Sequence, residues 1–122
     1  MNRVVHFEIP ADNPDRAQTF YADVFGWKFT RWDGPMDYRL AKTGDDKDRG
    51  IDGAILPRQA PGASVVNTVS VPSLDASLKT VEKAGGKVIL PRMTVPGVGY
   101  VAYASDTEGN PFGMLQPDAN AK

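Results

Sequence analysis

The sequence predicts an α+β fold: two βαβββ modules whose small sheets make a curved, incompletely closed mixed β-barrel with the helices on the outside. Three observations predict it. An alternating strand leads into a capped amphipathic helix and then three short strand-like runs; the same order returns after a Pro/Gly connection; and the two halves end alike, Gly53-Ala54-Ile55-Leu56-Pro57 matching Gly113-Met114-Leu115-Gln116-Pro117. These point to a duplication of about 55 residues. Neither half closes a core comfortably alone, so the 122 residues are expected to act as one domain.

In the first module, about residues 1–57, Val4 to Ile9 alternates strictly: Val5, Phe7 and Ile9 point one way, and Val4, His6 and Glu8 the other. Asn13 can cap the next helix, Pro14 suits its first position and Asp15 favours the positive end of its dipole. Ala17, Phe20, Tyr21 and Val24 fall on one helical stripe, and Gly26 supplies the stop. Trp27 to Arg31, Tyr38 to Lys42 and Ile51 to Leu56 read as strands, separated by Asp33-Gly34-Pro35 and by the polar run Gly44 to Gly50. Residues 58–64, opening Arg58-Gln59-Ala60-Pro61-Gly62, are too poor in apolar side chains for a core strand.

The second module, about residues 65–117, begins with a strand over Val66 to Val71. Ser73 caps a helix whose stripe is Leu74, Leu78 and Val81, with Gly85-Gly86 as its end. Lys87 to Leu90, Tyr100 to Ala104 and Pro111 to Gln116 complete the strands.

Composition removes several function classes. The 14 Lys+Arg balance 15 Asp+Glu, and no long block of either sign could track a phosphate backbone, so nucleic acid is not an expected partner. Without Cys there is no disulfide framework, thiolate nucleophile or cysteine zinc site. No apolar stretch has the length of a signal peptide or membrane span, and a cytoplasmic protein is expected.

The run Val5-His6-Phe7-Glu8-Ile9, then Asp15-Arg16-Ala17 and Phe20-Tyr21-Ala22-Asp23-Val24-Phe25-Gly26-Trp27, resembles the opening of vicinal-oxygen-chelate proteins, the glyoxalase/bleomycin-resistance/dioxygenase superfamily. Leu74-Asp75, Gly85-Gly86, Val95-Pro96-Gly97-Val98-Gly99 and Asp106-Thr107-Glu108-Gly109-Asn110-Pro111-Phe112 are similar to the family's later strands and turns, so the resemblance covers almost the whole chain. It implies the barrel, and it implies pairing as a homodimer. It does not fix the reaction, because isomerases, lyases, dioxygenases, epimerases and antibiotic-sequestering proteins share this scaffold.

In the family's metal enzymes, His, Glu and occasionally Gln side chains on concave-facing strands hold a divalent ion. Carried over, His6 takes the first-strand ligand position, Gly53 the second and Gly113 the fourth; the third falls at Val66, or at Asn67 or Thr68 if the register slips. His6 is the one ligand-type residue retained, so no metal or other cofactor is expected. The alternative is a divalent metal such as Ni, Zn, Mn or Fe in a glyoxalase-type lyase or dioxygenase.

The catalytic candidates are His6, the sole histidine, as general base, and Glu8, two residues along the same face. The plainer reading is that both only hydrogen-bond inside a polar cavity. Trp27, Tyr38, Tyr100 and Tyr103, with Trp32, can line a pocket for a flat or apolar small molecule, although such rings serve more often as core or dimer interface. Arg39 can fork onto a carboxylate, and an exposed strand arginine is the plainer reading. Gly97-Val98-Gly99-Tyr100-Val101-Ala102 matches a dinucleotide-binding pattern by letter, but a β-like run rather than a helix follows it, so it is read as a loop. Asp106-Thr107-Glu108-Gly109 reads as a tight turn, and no nucleophile-elbow pattern is present. The expected function is capture of a small molecule in the concave cleft of the sheet, with or without turnover by His6.

Overall fold

The computed structural model describes residues 1–122. The chain divides into two compact units: His6–Val65, and Val66–Lys122 together with Met1–Val5. Each carries four strands in an open mixed sheet and one α-helix, so the α+β class and the repeated βαβββ order both hold. No helix is long and apolar enough to cross a membrane.

The first unit runs β1 (Arg3–Ala11, from His6 onward), α1 (Pro14–Phe25), β2 (Lys28–Arg31), β3 (Arg39–Lys42) and β4 (Asp52–Pro57), with spatial order β2-β3-β4-β1. β1 and β4 are parallel and the other neighbours antiparallel. Asn13 begins α1 as its residue type requires: its backbone is extended and its side-chain oxygen accepts from Arg16 N at 3.1 Å. Gly26, at φ 73°, closes the helix by donating to Ala22 O at 2.9 Å.

The predicted core stripe of α1 needs correcting. Phe20 and Val24 are 55% and 54% exposed, and the partly buried line is Pro14, Ala17, Gln18, Tyr21 and Ala22. Arg39 supplies the physical reason, because its hydrogen bonds to Asp15 and Gln18 hold that line against the sheet. Tyr21 then stacks on Trp27, ring centroids 4.9 Å apart and planes 8° apart, and Trp27 meets Phe7 at 5.7 Å.

The second unit runs β5 (Val66–Ser70), α2 (Leu74–Lys83), β6 (Lys87–Val95), β7 (Gly99–Ser105) and β8 (Pro111–Pro117), in the order β5-β8-β7-β6. Ser73 caps α2 through Ala76 N, and Gln116 accepts from Leu74 N at 2.9 Å, so two side chains satisfy first-turn donors. Val71, Leu74, Ala102 and Met114 form the core, with Val69, Leu78, Val81, Tyr100 and Phe112 packed around them. β6 continues to Val95, beyond the predicted end at Leu90, through Pro91. A proline is tolerated on an edge strand, and the irregularities between Val88 and Leu90 and between Leu90 and Met93 erase the alternation that marks a strand in sequence.

Candidate functional site

Register decides which side chains share a face. On β1 and β4, His6 pairs with Asp52, Phe7 with Gly53 and Glu8 with Ala54. Phe7 packs toward the α1-side aromatic cluster, so Gly53 lies on the helix side: a Cβ there would come within 2.4 Å of the Phe7 ring. The second ligand position assigned to Gly53 is therefore one residue out, and the face of His6 and Glu8 receives Asp52 and Ala54 instead.

On that helix-free face a tyrosine joins the strand pair. Tyr38 lies one residue before β3, and Trp32 N donates to Tyr38 O at 2.8 Å, extending the β2–β3 hairpin by a step and setting both rings on one side. The Tyr38 hydroxyl reaches across the sheet. It lies 2.6 Å from His6 Nε2 and donates to Glu8 Oε2 at 2.7 Å. The His6 and Tyr38 ring planes are 5° apart, and Trp32 meets Tyr38 edge-on at 5.8 Å. The indole of Trp32 lies over Gly34, where a Cβ would fall 2.1 Å from it. All these residues belong to the first unit.

Burial is the largest influence on His6 and pushes its pKa below the ordinary 6.5; the charges of Glu8 and Asp52 oppose it in that order. The Asp52 carboxylate accepts from Thr43 N at 2.9 Å and faces Lys42 Nζ at 3.3 Å, and these contacts, the backbone N–H first, hold its pKa below 3.8. Sequence reasoning missed Asp52 because only the parallel β1–β4 register brings it beside His6.

The other candidates stand elsewhere. Trp27 belongs to the aromatic cluster under α1. Arg39, read as an exposed arginine, is 7% exposed: it forks onto Asp37 at 3.1 and 3.2 Å and reaches Asp15 at 2.6 Å, on the face opposite His6. Its donors tie α1 to β3, because a buried guanidinium must be paired. In the second unit Tyr100 lies against the α2-side core, with the Arg92 guanidinium 4.1 Å from its ring centre. Tyr103 pairs with Gly113 on the face turned from α2, as does Thr68, and a Cβ on Gly113 would meet Thr68 Oγ1 at 2.8 Å.

Comparisons with known proteins agree with this architecture. The model for the Bleomycin resistance protein-like N-terminal family matches residues 3–44. A glyoxylase-like domain-containing protein of Didymella fabae is 33% identical over 110 residues, which is 84% of either chain. CFP32 of Mycobacterium tuberculosis, a protein carrying a provisional glyoxylase name, is 32% identical over 116 residues, 90% of this chain but 42% of its own length. The chain thus spans under half of that mycobacterial relative. Among solved structures, methylmalonyl-CoA epimerase from Mycobacterium tuberculosis superposes with TM-score 0.72 at 13% identity, over 94% of this chain and 87% of that one. A Streptomyces coelicolor methylmalonyl-CoA epimerase in complex with 2-nitronate-propionyl-CoA gives 0.72 at 15% identity, over 100% and 99%. At such identities the structures speak to fold alone, but together with the identity to the Didymella protein they settle the relationship: the chain belongs to the glyoxalase/bleomycin-resistance, or vicinal-oxygen-chelate, superfamily.

Proposed function

We propose that this chain binds a small molecule on the helix-free face around His6, Glu8, Tyr38 and Trp32, without the metal site of its family, and that His6 performs acid/base work on a bound carbonyl compound. The observation that carries the reading is the Tyr38 hydroxyl seated between His6 Nε2 and Glu8 Oε2 at 2.6 and 2.7 Å. A desolvated imidazole, its pKa pushed down by burial, beside a carboxylate is the equipment of a general base. The metal-free part rests on donor chemistry. His6 and Glu8 already meet the Tyr38 hydroxyl, Ala54 offers no donor opposite Glu8, and Asp52 is engaged by Thr43 and Lys42. Catalytic ions ordinarily take at least three protein ligands.

The rival reading, a divalent-metal lyase or dioxygenase of glyoxalase type, would have to recruit Asp52, which shares the face of His6 and Glu8 but does not stand with them as a three-ligand group. Pairing as a homodimer fits the exposed apolar residues Ile89, Leu90 and Met93 on edge strand β6, and light scattering on the purified chain tests it by mass.

Thermal unfolding tests the site. Metal-stripped protein is melted with Ni, Co, Mn, Zn, Fe(II) or Mg, and separately with bleomycin or methylmalonyl-CoA, beside His6→Ala. A ligand at a hundred times its dissociation constant adds about 2.7 kcal/mol to the folded state, a shift of several degrees. A small-molecule shift with no ion effect supports the proposal; a large His6-dependent shift with one ion replaces it by the metal enzyme.

A further inference from the structure

The hydrogen bonds around Tyr38 have a direction. Its hydroxyl has one proton, donated to Glu8 Oε2 at 2.7 Å. The contact with His6 Nε2 at 2.6 Å must then be supplied by the imidazole, with Nε2 protonated and donating to Oη. In the neutral ring this leaves Nδ1 as the basic nitrogen. Imidazole, phenol and carboxylate form one directed chain, all within a part-buried patch.

We propose that Tyr38 joins His6 and Glu8 into a single proton-relay unit, in which His6 Nδ1 takes a proton from the ligand while the charge is neutralised at Glu8. The inference rests on the acid/base reading above. As Nδ1 receives the proton from an acidic C–H or O–H of the ligand, the Nε2 proton passes to Tyr38 Oη and the phenolic proton passes to Glu8 Oε2. The ligand keeps the bond electrons and leaves as an anion. His6 ends as the neutral Nδ1–H tautomer, Tyr38 as a phenol and Glu8 as a neutral acid, so one negative charge has moved from carboxylate to ligand and nothing else has changed. The relay removes the need for a free-standing imidazolium, the species that burial around His6 disfavours. In the relay Tyr38 acts as a positioning residue, holding His6 and passing the proton on to Glu8. The charged and titratable groups that bear on His6 are Glu8 and Tyr38 in the chain and Asp52 from β4, itself paired with Lys42.

His6 is the only histidine, so histidine-labelled protein gives one imidazole, whose nitrogen resonances report the tautomer directly. Above the ordinary imidazole pKa the native protein should hold the Nε2–H tautomer alone; a predominant Nδ1–H form or an even mixture overturns the relay, since Tyr38 would then donate to His6. Tyr38→Phe should relax the exclusive Nε2–H state to the tautomer mixture of a free imidazole, and an unchanged, exclusive Nε2–H state overturns the assignment. Glu8→Gln keeps an acceptor for the phenol but removes the charge that raises the His6 pKa, so that pKa should fall further; a pKa that does not move overturns the coupling. If Tyr38→Phe fails to fold, the native spectrum and Glu8→Gln still decide. None of these readouts needs a ligand: an empty small-molecule screen beside an intact Nε2–H tautomer sinks the binding reading, and with it the ligand step, while the direction of the hydrogen bonds stands; a ligand hit beside the wrong tautomer overturns the relay and spares the binding reading.

Discussion

Two glycines show how much a single atom decides. At Gly113 a Cβ would press on Thr68 Oγ1 at 2.8 Å and the Tyr103 ring at 3.2 Å; at Gly53 it would strike the Phe7 ring, itself packed on Trp27. Gly113→Ala should cost about 1–3 kcal/mol, the usual range for overpacking, read as a lower urea midpoint with an unchanged slope. Gly53→Ala should displace Phe7 and with it the environment of Trp27, seen as a near-ultraviolet circular dichroism change. The two glycines were legible in the sequence as places without a donor. That they face opposite sides of their sheets relative to each unit's helix was not, because a strand's facing depends on its partner's register and a slip of one residue reverses it.

Among elements, α1 illustrates what periodicity carries and what it leaves out. Its limits followed from Asn13, Pro14 and Gly26, whose capping chemistry is local and therefore readable from the chain alone. Its rotation did not follow, since Phe20 and Val24 satisfy the helical spacing but the hold of Arg39 on Asp15 and Gln18 turns another line inward. Arg39→Met should therefore lower the melting temperature by a few degrees and loosen α1, visible as faster amide exchange in its first turn, with little change at His6. β6 went the other way: its exposed, bulged course through Pro91 has no alternation to detect. The His6–Glu8 pairing was legible on β1, while Tyr38 was readable as an aromatic at the start of the third strand but not as the group between them.

For the whole molecule, acid should act in two separate windows. The folded chain holds the His6 pKa below 6.5, so as pH falls through 6.5 the unfolded chain takes up a proton that the folded one still refuses. Stability declines there and levels off below the folded value. Asp52, Asp106 and Asp37 are held below 3.8, chiefly by the Thr43 N–H, the Asn110 N–H and the Arg39 guanidinium respectively. Their contribution is complete above 3.8 and is lost as pH drops further. Urea midpoints measured against pH should show both declines, and His6→Gln should erase only the upper one.

Trp27 and Trp32, the only two tryptophans, report on different sides of the first unit: one is stacked on Tyr21 beneath α1, the other is laid over Gly34 with its edge toward Tyr38. The chain thus carries its own optical reporter. With Trp27 replaced by Phe, the remaining indole emission should follow events beside Tyr38, such as the arrival of a molecule or ionisation of the phenol, without any dye or label.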